Sequence, residues 1–225
     1  MKNQQRKSCF TLVEVLIAMG ICIVGVVSIM GLFPVGANTA RDANMAFYAD
    51  QAADQMLHFT KYAVLKDTST SNVIFKAMTG WADIDNPSSA TTKPGANDEP
   101  ADWSMVSSIK DNTNISSYLA ANYISMLASS GTEIKAHNLN VYRIGFVTEI
   151  DANNDHTITD DEKYEDFACV VRLWATPIHI DETDSSSSKL PRAATFYLEV
   201  SWPADLPYAR RQKAEYSIDV FVPEG

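Results

Sequence analysis

Two stretches of this 225-residue chain carry side chains whose type and spacing imply chemistry. The first is Glu14, at the head of the apolar run 15–33, VLIAMGICIVGVVSIMGLF, which contains no charge. A carboxylate at a bilayer centre costs roughly 2.5–3.5 kcal/mol on insertion scales. Glu14 therefore either reaches back to the interface or meets a positive partner. The second is 151–162, DANNDHTITDDE, which offers oxygens from Asp151, Asn153, Asp155, the Thr157 carbonyl and Glu162. Hard oxygen donors at this spacing suit Ca²⁺, because alternate residues of a tight loop turn their oxygens inward. There is no HExxH, no GxSxG and no Gly-rich phosphate loop, and His58, His137, His156 and His179 are scattered. No catalytic arrangement is expected, although carboxylates brought together only in space would leave no trace in the sequence.

The elements that hold these residues begin with the apolar run. As a helix it is about 28 Å long at about 1.5 Å per residue, close to a hydrocarbon core of about 30 Å. Lys2, Arg6 and Lys7 precede it with no acid among them, which predicts a cytoplasmic N-terminus. A secretory signal would have a shorter apolar stretch and a small-x-small cleavage site, and Phe33-Pro34-Val35-Gly36 is a poor one. A buried core helix is rarely so uniformly apolar. A single-pass membrane helix fits best. Pro34 removes one helical hydrogen bond and predicts a kink or a membrane-exit break. Residues 39–66 continue as an amphipathic helix. Ala46, Ala49, Ala53, Met56 and Leu57 form one stripe, and Gln51, Asp54, Gln55, His58 and Lys61 lie opposite.

Residues 67–113 are rich in Ser, Thr, Asp, Asn, Pro and Gly and read as a long connection, with a short element near Ser71–Met78 and Trp81 and Trp103 as anchors. A short helix is expected over 115–128. From about residue 139 the character turns to β, with strands expected at Asn140–Ile150, Asp166–Thr176, Ala194–Trp202 and Ala214–Val222. One long helix followed by about four sequential strands predicts an α+β domain, an antiparallel sheet packed on the helix. The stretch 181–191, DETDSSSSKLP, reads as a solvated loop, and Arg210, Arg211 and Lys213 as a solvated strand entry or a local basic patch.

The stretch Lys7-Ser8-Cys9-Phe10-Thr11-Leu12-Val13-Glu14-Val15-Leu16-Ile17-Ala18 closely resembles the prepilin cleavage and methylation motif. Type IV pilins, minor pilins and type II secretion pseudopilins share that motif, and the resemblance covers roughly residues 1–60. It implies that prepilin peptidase cuts between Cys9 and Phe10, that Phe10 becomes an N-methylated N-terminus, and that Glu14 pairs with the N-terminal amine of a neighbouring subunit during assembly. The family usually has Gly before the scissile bond, where this chain has Cys9. The implied organisation is a leader at 1–9, a transmembrane and polymerisation helix at 10–36, its amphipathic continuation at 37–66, and an exported pilin-like α+β domain at 67–225. The implied partners are other pilin or pseudopilin subunits, prepilin peptidase and an inner-membrane assembly platform. The chain would sit in the inner membrane, N-terminus cytoplasmic, with its domain periplasmic or extracellular. The rival reading is a membrane-anchored, calcium-binding surface protein that never polymerises. An anchored hydrolase using acidic residues is a third.

The 151–162 stretch is similar to the twelve-residue calcium loop of EF-hands and dockerin-type repeats. His156 stands where Gly usually makes the sharp turn, and strands rather than helices flank it, so the expectation is a calcium loop without a full EF-hand. An acidic hairpin turn without metal is the competing reading. Cys9 lies in the leader, Cys22 in the apolar helix and only Cys169 in the domain, so no disulfide forms within the exported part. Many major pilins close their C-terminal region with one, which leans toward a minor pilin or pseudopilin. The formal charge is −10, and loss of residues 1–9 takes it to −13 by removing three cations. That acidity argues against nucleic acid, which demands clustered Lys and Arg.

Overall fold

The computed structural model describes residues 11–66, 73–83, 85, 91–109, 132–149, 163–179 and 189–222. Cys9, Phe10, the 151–162 loop and the helix expected over 115–128 lie outside them. The chain divides into two compact units, Met1–Asn44 and Met45–Gly225.

Helix α1 runs from Leu12 to Lys66 and continues through Pro34, so the break expected there does not interrupt it. In the first unit every described residue is exposed, from Leu12 and Val13 through Phe33 and Val35. The helix is long and apolar enough to cross a membrane.

In the second unit, residues 45–66 of α1 lay one face on a sheet. Ala49, Ala52, Ala53, Met56, Phe59, Ala63 and Val64 are buried there. The small residues let the helix approach the sheet closely, and Met56 and Phe59 fill the space between. The stripe differs from expectation at one end: Ala46 is exposed, and Met45 and Tyr48 take the inward places. Tyr48 stacks on Phe167 and lies against Phe146, and Tyr216 donates to Asp50. Helix α2, Val73–Thr79, places Phe75 and Met78 in the same core, with Trp81 just beyond it.

The sheet has five strands, not about four, and begins at residue 132 rather than 139. They are β1 Thr132–Asn138, β2 Val141–Glu149, β3 Lys163–His179, β4 Lys189–Trp202 and β5 Gln212–Phe221. Their order in space is their order in sequence, and each pairs antiparallel with the next. Period-two side chains then separate two faces. Ile134, Tyr142, Ile144, Cys169, Val171, Leu173, Phe196, Leu198 and Val200 meet the helices. Arg143, Arg172, Glu199, Lys213 and Glu215 alternate with them and belong to the other face. Lys189–Pro191, expected in a loop, belong to β4.

Candidate functional site

The sequence-expected residues fall in different places. At the start of α1, Thr11 and Glu14 form a reciprocal cap. The Thr11 backbone N–H donates to Glu14 Oε2 at 3.3 Å, and the Glu14 N–H donates to Thr11 Oγ1 at 3.4 Å. This is the capping box, in which a Thr before the helix and a Glu three residues later satisfy each other's orphan donors. The Thr-x-x-Glu spacing ahead of an apolar run was the available signal. A carboxylate here also sits at the positive end of the helix dipole. Glu14 thus has a local hydrogen-bonding role besides any partner it meets.

The most developed polar site lies on the sheet face away from the helices. The segment 91–109 crosses that face as a strap carrying two short 3₁₀ turns, Ala96–Asp98 and Trp103–Met105. Its near end is fixed where β3 outruns β2. The Thr91 N–H donates to the Ala175 carbonyl at 2.8 Å, and the Ala175 N–H donates back to Thr91 Oγ1 at 2.7 Å. Its far end joins the edge of β1 through the Ile109 N–H to the Ile134 carbonyl at 2.8 Å. Between them Trp103 packs on Val141, Ala168, Val170 and Ala204, a second and smaller apolar cluster.

Charged groups bind the strap to the sheet. Arg172, completely buried, points from β3 and is gripped by Glu99 of the strap and by Glu199 Oε1 of β4 at 3.2 Å. Arg211, after β4, makes a bidentate pair with Glu99, Nη1 to Oε1 at 2.8 Å and Nη2 to Oε2 at 2.9 Å. Tyr208 lies 3.8 Å over the Arg172 guanidinium and donates its hydroxyl to Glu199. Lys93 of the strap reaches Glu199 at 2.8 Å and also Glu215. Burial works against the Lys93 charge, but the two carboxylates outweigh it and its pKa is raised. Neutralisation within the cluster is what makes burial of so many charges tolerable.

Beside this network is an open cleft of about 920 Å³ between the strap and residues 204–211. Glu99, Arg211, Lys135 and Arg143 are among its walls. Arg143 is committed to Glu165 through two bonds of 2.6 and 2.7 Å. Gly145 makes room for that carboxylate, since a Cβ there would collide with Glu165. The carboxylates Glu99, Glu165 and Glu199 are therefore each held by arginine rather than free for acid–base work. Among the described residues no group of His, Cys, Asp and Glu could hold a metal ion.

No family model, curated protein or solved structure matches the chain. What the chain does is therefore argued from its own residues. Of the basic trio at 210–213, Arg211 is taken up by Glu99, and Lys213 lies 3.6 Å over Tyr208. Arg210 and Lys213 are exposed, while Arg211 is drawn in against Glu99 of the strap. Cys169 is fully buried, and burial pushes its thiol pKa up, which disfavours the thiolate. The ionic strap escaped the sequence reading: Arg172 and Glu199 look like ordinary solvent-facing strand positions.

Proposed function

We propose that this protein is a structural and assembly subunit of a type IV pilus or type II secretion pseudopilus, cut by prepilin peptidase between Cys9 and Phe10 and polymerised through its N-terminal helix. The observation that carries this reading is the apolar stretch of α1, uncharged over 15–33 and exposed along its whole length. So much unpartnered apolar surface demands a bilayer or a bundle of similar helices. The motif around Phe10 and Glu14 favours the second as the final state and the first as the starting one. The globular domain then faces outward, and the antiparallel sheet on residues 45–66 supplies a rigid base for it.

In a low-dielectric medium, Glu14 and a neighbour's N-terminal amine are each costly alone and favourable together. Intact-mass measurement of the chain from its native membrane tests the processing step. A species starting at Phe10 and carrying one added methyl is expected, and a retained Met1–Cys9 leader would overturn it.

One observation favours the rival, a non-polymerising, calcium-binding surface protein: Glu14 already has hydrogen-bond donors in Thr11. In either case 151–162 joins β2 to β3, and we propose that Asp151, Asn153, Asp155, Thr157 and Glu162 hold Ca²⁺ and brace that end of the sheet. Calorimetric titration of the purified chain is expected to show one saturable Ca²⁺ site. Absence of heat at millimolar-range calcium, the weakest class of such loops at about 10⁻⁴–10⁻³ M, would remove the metal.

A further inference from the structure

The Arg172–Arg211 pair has the features of a ligand site whose ligand is part of the same chain. Two guanidiniums from separate elements converge on one carboxylate, Glu99, with Arg211 contributing a fork of two bonds. Such a fork matches carboxylate geometry specifically. The remaining walls are built: Tyr208 stacks on Arg172, Glu199 fixes its far side, and Ser201 Oγ lies 3.5 Å from Arg211 Nη1. Glu99 and Arg211 also form part of the wall of the open cleft, so an outside molecule reaches the clasp without crossing the main core.

The closed arrangement has a defect. Arg172 Nε and Trp103 Nε1 are buried without a hydrogen-bond partner, the first in the clasp and the second under the strap. A buried donor left unmade costs free energy that hydration would restore. Lifting the strap wets both donors. What holds it down is largely ionic, apart from the backbone bonds at its two ends and the small apolar cluster under Trp103.

We propose that Arg172 and Arg211 form a carboxylate-binding clasp, occupied in cis by Glu99 and able to accept in trans a carboxylate of another polypeptide, an acidic side chain or a C-terminus, when the strap lifts. Glu99 is then an autoinhibitory ligand. The site belongs to the domain alone and does not depend on how the N-terminal helix is used.

Chemical rescue tests it. Glu99→Ala empties the clasp, and the purified full-length variant in detergent is expected to melt several degrees below wild type. Acetate substituted for chloride at constant ionic strength is expected to restore much of that loss, saturably, and to do nothing for Glu99→Ala with Arg211→Ala. A short peptide with a free C-terminus, compared with its amide and with an amide bearing one Glu, then separates the two carboxylate sources. Equal acetate responses in the single and double variants, or none in either, would overturn the proposal. Should Glu99→Ala fail to fold, the wild-type chain answers the question. Acetate should speed amide exchange at Ile109, on the strap, and leave Leu173, in the main sheet, unchanged, whereas no difference between acetate and chloride counts against the clasp.

Discussion

Replacing Glu14 by Gln is expected to leave α1 formed and the chain in the membrane, yet to remove it from assembled material by roughly a hundredfold. The magnitude comes from leaving a neighbour's amine unmatched. A cost of about 2.5–3.5 kcal/mol, at about 1.4 kcal/mol per factor of ten, gives that order. Gln is the informative choice because Glu14 caps α1 and, under the proposed function, also meets a neighbour's amine. Its oxygens accept from Thr11, a role Gln keeps, since capping boxes use either residue. Its charge is what a neighbouring amine needs, and Gln lacks it. Glu14→Val loses both, because it also removes the bond to the Thr11 N–H. The ratio of pelleted polymer to total membrane-bound chain reads the difference. Assembly by Glu14→Gln at the wild-type level, with only Glu14→Val impaired, would make Glu14 a helix cap and nothing more.

The second large effect is on stability. Glu99→Ala removes the carboxylate that bridges Arg172 and Arg211. Arg172 has no exposed surface, so its guanidinium is left with Glu199 and the Tyr208 ring. Breaking a buried pair from one side costs about 3–5 kcal/mol. At about 2–4 °C per kcal/mol for a chain of this size, the midpoint should fall by roughly 6–20 °C in thermal melts followed by tryptophan fluorescence. The comparison variant is Asp54→Ala. Asp54 lies 3.3 Å from His58 on the open side of α1 with about three-quarters of each side chain exposed, and an exposed pair is worth under about 1 kcal/mol. Equal effects from the two changes would mean the strap is not held by its buried charges.

The two variants probe different levels of what the sequence discloses. The apolar run and the alanine stripe of α1 are legible because helical periodicity and bulk hydropathy are local properties. Ala49, Ala53 and Met56 accordingly lie where that periodicity puts them, and Ala46 does not, because Tyr48 turns in to meet Phe146 and Phe167 one step away. Strands β2 to β5 are legible from Val, Ile, Phe and Tyr at alternate positions. Strand β1 is not, because TEIKAHN brings only Ile134 and Ala136 to the core and turns Glu133, Lys135 and His137 outward. Hydrophobic content alone does not mark such an edge strand.

The clasp is illegible for a different reason. A polar residue at every second strand position predicts a solvated face, and Arg172 and Glu199 obey that pattern. What buries them is the 91–109 segment, whose Ser, Asp, Pro and Gly content reads as a connection. Nothing local says that Glu99 will land on Arg172, 73 residues away. Trp103 was the one hint, an anchor with no strand of its own, and it sits on the cluster around Val170. Pairing of buried charges is a tertiary property that period-two reading does not reach.

The central claim is that α1 is a polymerisation element, and amine-reactive crosslinking of the wild-type chain in its native membrane tests it most directly. The account predicts a ladder in which this chain is joined to further copies of itself or to chains that share its N-terminal motif. Recovery of the chain as a monomer alone, under conditions that crosslink a known membrane oligomer in the same sample, would contradict it and leave the anchored, non-polymerising surface protein.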